Sequence, residues 1–185
     1  MKKRIFFSPV TMADIGGVNG SENFAGISSN VDWAPWEDVL TWPELDATPT
    51  AFADLATIPG NIVFKSGKCF KKLYITAETG NLESNMIGQR DSMAFSNVLK
   101  CNNPGNDVAV LGFLSHMANR PGVYIVTELD GRKRLLGNSL RGADIKGNVK
   151  GGGKIEDGKY TEFTIEINGR IAPIYTGAIS YTPAT

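Results

Sequence analysis

His116 is the sole histidine, and Cys69 and Cys101 the sole cysteines, of this 185-residue chain. A Ser-His-Asp triad would have to take His116 as its base. Ser115 adjoins it, but consecutive residues of a helix do not face each other, so the two make no nucleophile–base pair. A structural zinc usually takes four Cys or His ligands, and three such residues exist. Cys69 and Cys101 lie outside any CxxC motif, which favours two buried thiols over one disulfide. Gly67-Lys68 and Gly153-Lys154 fail the phosphate-loop pattern, because Cys69 and Ile155 stand where Ser or Thr is required. The acid pairs Glu37-Asp38 and Glu156-Asp157 lack the spacing of a calcium loop and read as solvated surface. Asn19-Gly20-Ser21 matches a glycosylation sequon. The chain starts Met1-Lys2-Lys3-Arg4-Ile5-Phe6-Phe7, and this apolar stretch meets Pro9 too early for a secretory signal, so the sequon reads as chance. These residues point to no enzyme, no metal and no cofactor.

The charges say more. Lys plus Arg and Asp plus Glu both number 19. Residues 5–60 hold no Lys or Arg and eight acids, while residues 61–185 hold 16 bases and 11 acids. An acidic first third thus joins a mildly basic body, and zero net charge argues against broad phosphate neutralisation. The basic clusters Lys68-Lys71-Lys72 and Arg132-Lys133-Arg134 suit nucleic acid, a protected sheet edge or an acidic partner equally well. No apolar run approaches the roughly 20 residues of a membrane-spanning helix.

The acidic third holds Trp33, Trp36 and Trp42, all three of the tryptophans, and five of the nine prolines. No long helical or strand period runs from Ser8 to Thr57. Irregular segments of this length are uncommon inside compact domains, yet clustered tryptophans favour burial. Residues 1–60 therefore read as an N-terminal arm that either wraps its own domain or docks on a neighbouring subunit. The charge split tilts the reading toward the neighbour. On that reading, deleting residues 1–58 leaves the body folded.

Residues 61–185 read as a mainly β body. Strands are expected at 61–65 and 68–77 around Ser66-Gly67, and at 92–101. Residues 77–91 read as a long loop or extended hairpin tip. One helix is expected at 107–119, with Val110, Phe113, Leu114 and Met117 on one face, widened by Val108 and Leu111. Asn106 or its neighbour caps it, and Pro121-Gly122 ends it. Asp130-Gly131 predicts a type I′ hairpin between 123–129 and 132–136. Thr161, Phe163, Ile165 and Ile167 alternate with Glu162, Thr164 and Glu166, a half-buried strand that Asn168-Gly169 turns into residues 170–175. The stretch 137–159 is glycine-rich and basic, and its run Gly151-Gly152-Gly153 reads as a mobile loop. The architecture expected is a β-sandwich or barrel with one flanking helix and a long irregular N-terminal arm.

Several stretches of the body share an order with a known group. They are Lys72-Leu73-Tyr74-Ile75-Thr76-Ala77-Glu78-Thr79-Gly80, Ile87-Gly88-Gln89-Arg90-Asp91-Ser92, Pro104-Gly105-Asn106 before the helix, Leu136-Gly137 and Ala172-Pro173-Ile174-Tyr175. In them the chain resembles tail tube proteins of phages and prophages of Bacteroidetes hosts. The resemblance runs from Ile62 to Tyr175 and leaves the first 60 residues outside it. It implies a virion structural protein, made in the host bacterial cytoplasm and placed in the tail. Its copies would form stacked hexameric rings, meet other tail proteins, and let DNA pass without sequence-specific binding. No catalytic residue carries over. Residues 77–91 would be an inter-ring loop and residues 8–60 an arm. Trp33, Trp36, Trp42, Phe52, Leu82, Met86, Ile87 and Arg90 are the expected subunit-interface residues. Glu162 and Glu166, on the wet face of their strand, are the expected lumen-facing pair. Two other readings remain: a neck, tail-terminator or capsid-decorating protein, and a carbohydrate-binding module using the tryptophans as a stacking platform.

Overall fold

The computed structural model describes residues 10–11, 13–15 and 24–185. In chain order the strands are β1 (Ile27–Pro35), β2 (Val39–Thr41), β3 (Thr57–Ile58), β4 (Val63–Phe64), β5 (Lys71–Tyr74), β6 (Asn81–Ile87), β7 (Ala94–Pro104), β8 (Gly122–Glu128), β9 (Lys133–Leu136), β10 (Asp144–Lys150), β11 (Tyr160–Gly169) and β12 (Ile174–Tyr175). The helix α1 (Val108–Met117) lies between β7 and β8. The chain is mainly β, a sandwich-like fold with one α-helix among the described residues.

Two sheets face each other. The four-stranded sheet runs β10-β11-β7-β6, antiparallel throughout. The six-stranded sheet runs β3-β12-β9-β8-β1-β5. Between them Val31, Leu73, Leu99, Tyr124, Val126, Phe163 and Ile165 are buried, and α1 packs Val110, Phe113 and Leu114 against the same core. A second core covers the other face of the six-stranded sheet. There Ala34, Val123, Ile125 and Leu135 meet Val39, Ile58, Ile62, Phe64, Phe70 and Tyr175, with Trp42, Leu45 and Ile179 at the margin. The six-stranded sheet is thus buried on both sides, under the four-stranded sheet and under a cap built from residues 39–70 and the C-terminal segment.

This cap overturns the detached-arm reading for the described part of residues 1–60. β1 pairs with β8 on one side and β5 on the other, well inside the sheet. Burial on both faces removes the two-residue alternation by which a strand is usually recognised. Ser28, Ser29, Asn30 and Asp32 lower its β propensity further. Residues 1–9, 12 and 16–23, the rest of the arm, lie outside the described residues, as does the sequon.

Other expectations meet corrections. The stretch 137–159 contains β10, whose Gly147 sits where a Cβ would come within 2.3 Å of Leu114 Cδ2. The glycine permits helix and sheet to approach closely. Asn168-Gly169 does not make a hairpin, because β12 crosses to the other sheet and pairs with β9 and β3. Ser66-Gly67 does turn, with the Lys68 amide donating to the Lys65 carbonyl at 3.0 Å, but β4 pairs with β2 and β5 with β1. The β8–β9 turn is a three-residue loop. The Glu128 amide donates to the Arg132 carbonyl, and Gly131 alone takes a positive φ of 87°, a bulged type I turn instead of type I′. The helix starts without a side-chain cap, and Val108 and Leu111 face outward. Residues 77–91 resolve into β6 and the tip of a long β6–β7 hairpin.

Candidate subunit interface

The four-stranded sheet turns one face to the core and leaves the other open. Along β11, Thr161, Phe163, Ile165 and Ile167 are buried, while Glu162, Thr164 and Glu166 point away from the core. Lys100 of β7 and Lys146 and Lys150 of β10 share that outer face by register. Lys150 Nζ donates to Glu162 at 2.6 Å and Asn148 donates at 3.2 Å. This lysine hydrogen bond holds the Glu162 carboxyl below its usual range and raises Lys150. Lys146 forms an ion pair with Glu166. The outer face is therefore polar, with two of its lysines paired to Glu162 and Glu166, and both expected lumen residues lie on it.

The sheet ends in two strands without a neighbour on their outer side among the described residues. β6 and β10 are seven residues each. Because four antiparallel strands alternate in direction, these two edges run oppositely. A rotated copy placed beside the first can then continue the same antiparallel ladder.

The expected interface residues divide. Trp33 is packed inside its own fold, its ring 4.6 Å from that of Phe113 at 66°. Leu82 packs on the main core. Trp42 packs at the margin of the second core, 6.5 Å from Trp36. Trp36 Nε1 donates to the Asn138 carbonyl at 2.8 Å, and its ring lines a shallow hollow with Pro121, Leu140, Arg141, Gly142 and Asp144. Phe52 lies on a short turn, Phe52–Leu55, half-exposed and away from the hairpin tip. Met86, Ile87 and Arg90 stand exposed at the β6–β7 tip. Among the exposed apolar residues that the sequence reading passed over are Met93 on that tip and Leu140 beside Trp36, the latter 91% exposed. Each stands alone among polar turn residues, with no periodicity to mark it.

The groups considered for chemistry are spread apart. His116 is exposed on α1. Cys69 and Cys101 are buried free thiols, and burial pushes Cys101 up to about 12. Glu37 pairs with Arg120 and Asp38 with Lys68. Asp157 accepts from the amides of Gly153 and Lys154, closing the glycine-rich turn. No group of three or more His, Cys, Asp or Glu that could hold a metal ion occurs among the described residues. No helix among them is long and apolar enough to cross a membrane. Comparison with protein families, characterised proteins and solved structures finds no match to this chain.

Proposed function

We propose that this chain is a virion structural protein, a tail tube subunit whose copies join edge to edge into rings that stack around passing DNA. The observation that carries the reading is the pair of equally long, oppositely directed edges on the four-stranded sheet, both without a neighbouring strand among the described residues. Monomeric proteins suppress such edges with prolines, bulges, covers or edge charges, lysines above all. Here β6 and β10 contain no proline, and the two lysines of β10, Lys146 and Lys150, are each paired with a glutamate of β11. Head-to-tail joining of one edge to the other closes a ring when the rotation closes. The resemblance of residues 62–175 to tail tube proteins supplies the hexameric count and the tail location. The outer face fits a conduit, because locally paired carboxylates and lysines neither trap nor strongly repel a phosphate backbone.

A neck or terminator protein would use the same edges and stop at one ring. The carbohydrate reading loses support, since Trp33 packs under α1 and the Trp36 and Trp42 planes are tilted by 34°. Negative-stain electron microscopy across a concentration series tests the proposal. Hollow rings and stacked tubes of one diameter are expected. Single rings alone would favour the terminator, and monomers at every concentration, with added tail-initiator extract included, would overturn the tube.

A further inference from the structure

We propose that the hairpin tip of one copy, carrying Met86, Ile87 and Met93, seats in the hollow between Trp36, Pro121 and Leu140 of the adjacent copy in the same ring. The inference rests on the edge-to-edge reading above and follows from its register. Asn81, Lys100, Thr164 and Lys146 form one row across the sheet. Asn81 ends β6, whereas β10 continues four residues beyond Lys146 to Lys150. Joined without a shift, two copies would overlap only through Asn81–Glu83 against Asp144–Lys146. A shift of four residues pairs the edges over their full length, Asn81 with Lys150 and Ile87 with Asp144.

That shift is even, so it keeps every side chain on its own face. Leu82 of one copy comes beside Val149 of the other, Ser84 beside Gly147, and Met86 beside Ile145. The core-side faces of both strands then run on as one, and Val149, 42% exposed, gains an apolar neighbour. With Ile87 beside Asp144, the six turn residues 88–93 lie beyond it, toward the place where residues 140–142 approach Trp36 and Pro121. Met86 is 68% and Met93 64% exposed on the tip, and Leu140 is 91% exposed on the hollow's rim. Flexible methionines suit a shallow apolar socket. The rim carries the ion pairs Arg141–Asp144 at 3.2 Å and Arg120–Glu37 at 3.7 Å, and the tip carries Arg90 and Asp91, so each side offers both signs. The tip thereby becomes a lateral clasp within a ring instead of a contact between rings.

Cross-linking separates these placements. Met93→Cys and Leu140→Cys in one full-length chain put thiols on tip and rim, while Cys69 and Cys101 stay buried. Assembled double variant treated with a short bis-maleimide should give a denaturing-gel ladder that stops at the subunit count of one ring, seen by microscopy of the same sample. Either single variant should give no ladder. Rings without a ladder would overturn the clasp while leaving the ring reading intact. A ladder running beyond one ring, or dimers from a single variant, would overturn the lateral placement. Failure of the wild-type chain to form rings would overturn the ring reading and the clasp with it. Separately, Leu140→Asp should raise the concentration for half-assembly at least about tenfold, by sedimentation velocity, with the monomer's thermal midpoint unchanged. An unchanged assembly concentration would count against the clasp.

Discussion

Asp32 is the most exposed to argument of the single residues because it is among the least exposed to water. It sits on β1, in register with Lys72 of β5, and only 4% of its surface is accessible. Tyr181 from the C-terminal segment donates its hydroxyl to Asp32 at 2.8 Å, and Lys72 Nζ lies 4.6 Å above the Tyr181 ring. Burial raises the Asp32 carboxyl above its ordinary 3.8, and Tyr181, Lys72 and Lys133 offset that in part. Burial also pushes the Tyr181 hydroxyl up to about 12, with Asp32 adding to it. A raised carboxyl binds its proton more readily in the folded chain than in the unfolded one. Its contribution to stability is therefore full below 3.8 and is lost as pH rises through the folded value. Asp32→Asn keeps an oxygen for Tyr181 and removes the titration. The stability of this variant relative to wild type should increase between about pH 3 and about pH 7. Urea unfolding at several pH values reads the difference, and a difference that stays flat or falls would contradict the account.

At the scale of elements, the strand hardest to find and the strand that sets the helix share a cause: contact with another layer. Gly147 admits Leu114, so Gly147→Ala drives a methyl group into that side chain. Overpacking of this kind costs about 1–3 kcal/mol. The expected loss in denaturant unfolding should shrink when Leu114→Ala is combined with it, because the second change opens the space the first one needs. Full additivity would place the cost elsewhere. The same contact explains why β10 does not read as a strand from sequence alone, since a glycine inside a strand carries the signature of a turn. β1 was illegible for a related reason, its alternation cancelled by burial on both faces. By contrast β11 was plain to read, with one wet face and one dry face that the residue pattern records directly, and α1 was found from Val110, Phe113, Leu114 and Met117 although its Val108 and Leu111 face water. The β8–β9 hairpin was found from Asp130-Gly131, though its loop is one residue longer than the dipeptide implied. Of the exposed residues on the hairpin tip, Met86, Ile87 and Arg90 were named from the sequence. Trp36 was named too, but not its neighbours, because Pro121 and Leu140 reach that tryptophan only through the fold.

The described residues form a stack of two sheets and a cap, and the described part of the chain's first third belongs to that stack. Deleting residues 1–58 removes β1 from between β8 and β5 and strips Ala34 and Val39 from the second core. The shortened chain should therefore lose cooperative unfolding and dispersed amide resonances, whereas a detachable arm would leave both. The assembled molecule carries a sharper consequence. A shift of four residues for each four-stranded subunit is one residue per strand. With a rise of about 3.3 Å per residue and a spacing of about 4.8 Å between strands, that shear tilts the strands by about 35° from the ring axis. Barrels closed at that same shear per strand tilt by about 36°. The tilt depends on the ratio alone, so it holds whatever number of copies closes the ring. It also ties the wall to the clasp, because without the shift Ile87 would stand level with Leu140, four residues beyond Asp144. A cryo-electron reconstruction of the tube should show inner strands tilted near this angle, with the rows of Glu162 and Glu166 spiralling along the wall. Strands running parallel to the axis would mean that the edges pair without the shift, which would set Ile87 level with Leu140 instead of Asp144 and overturn the pairing on which the clasp rests.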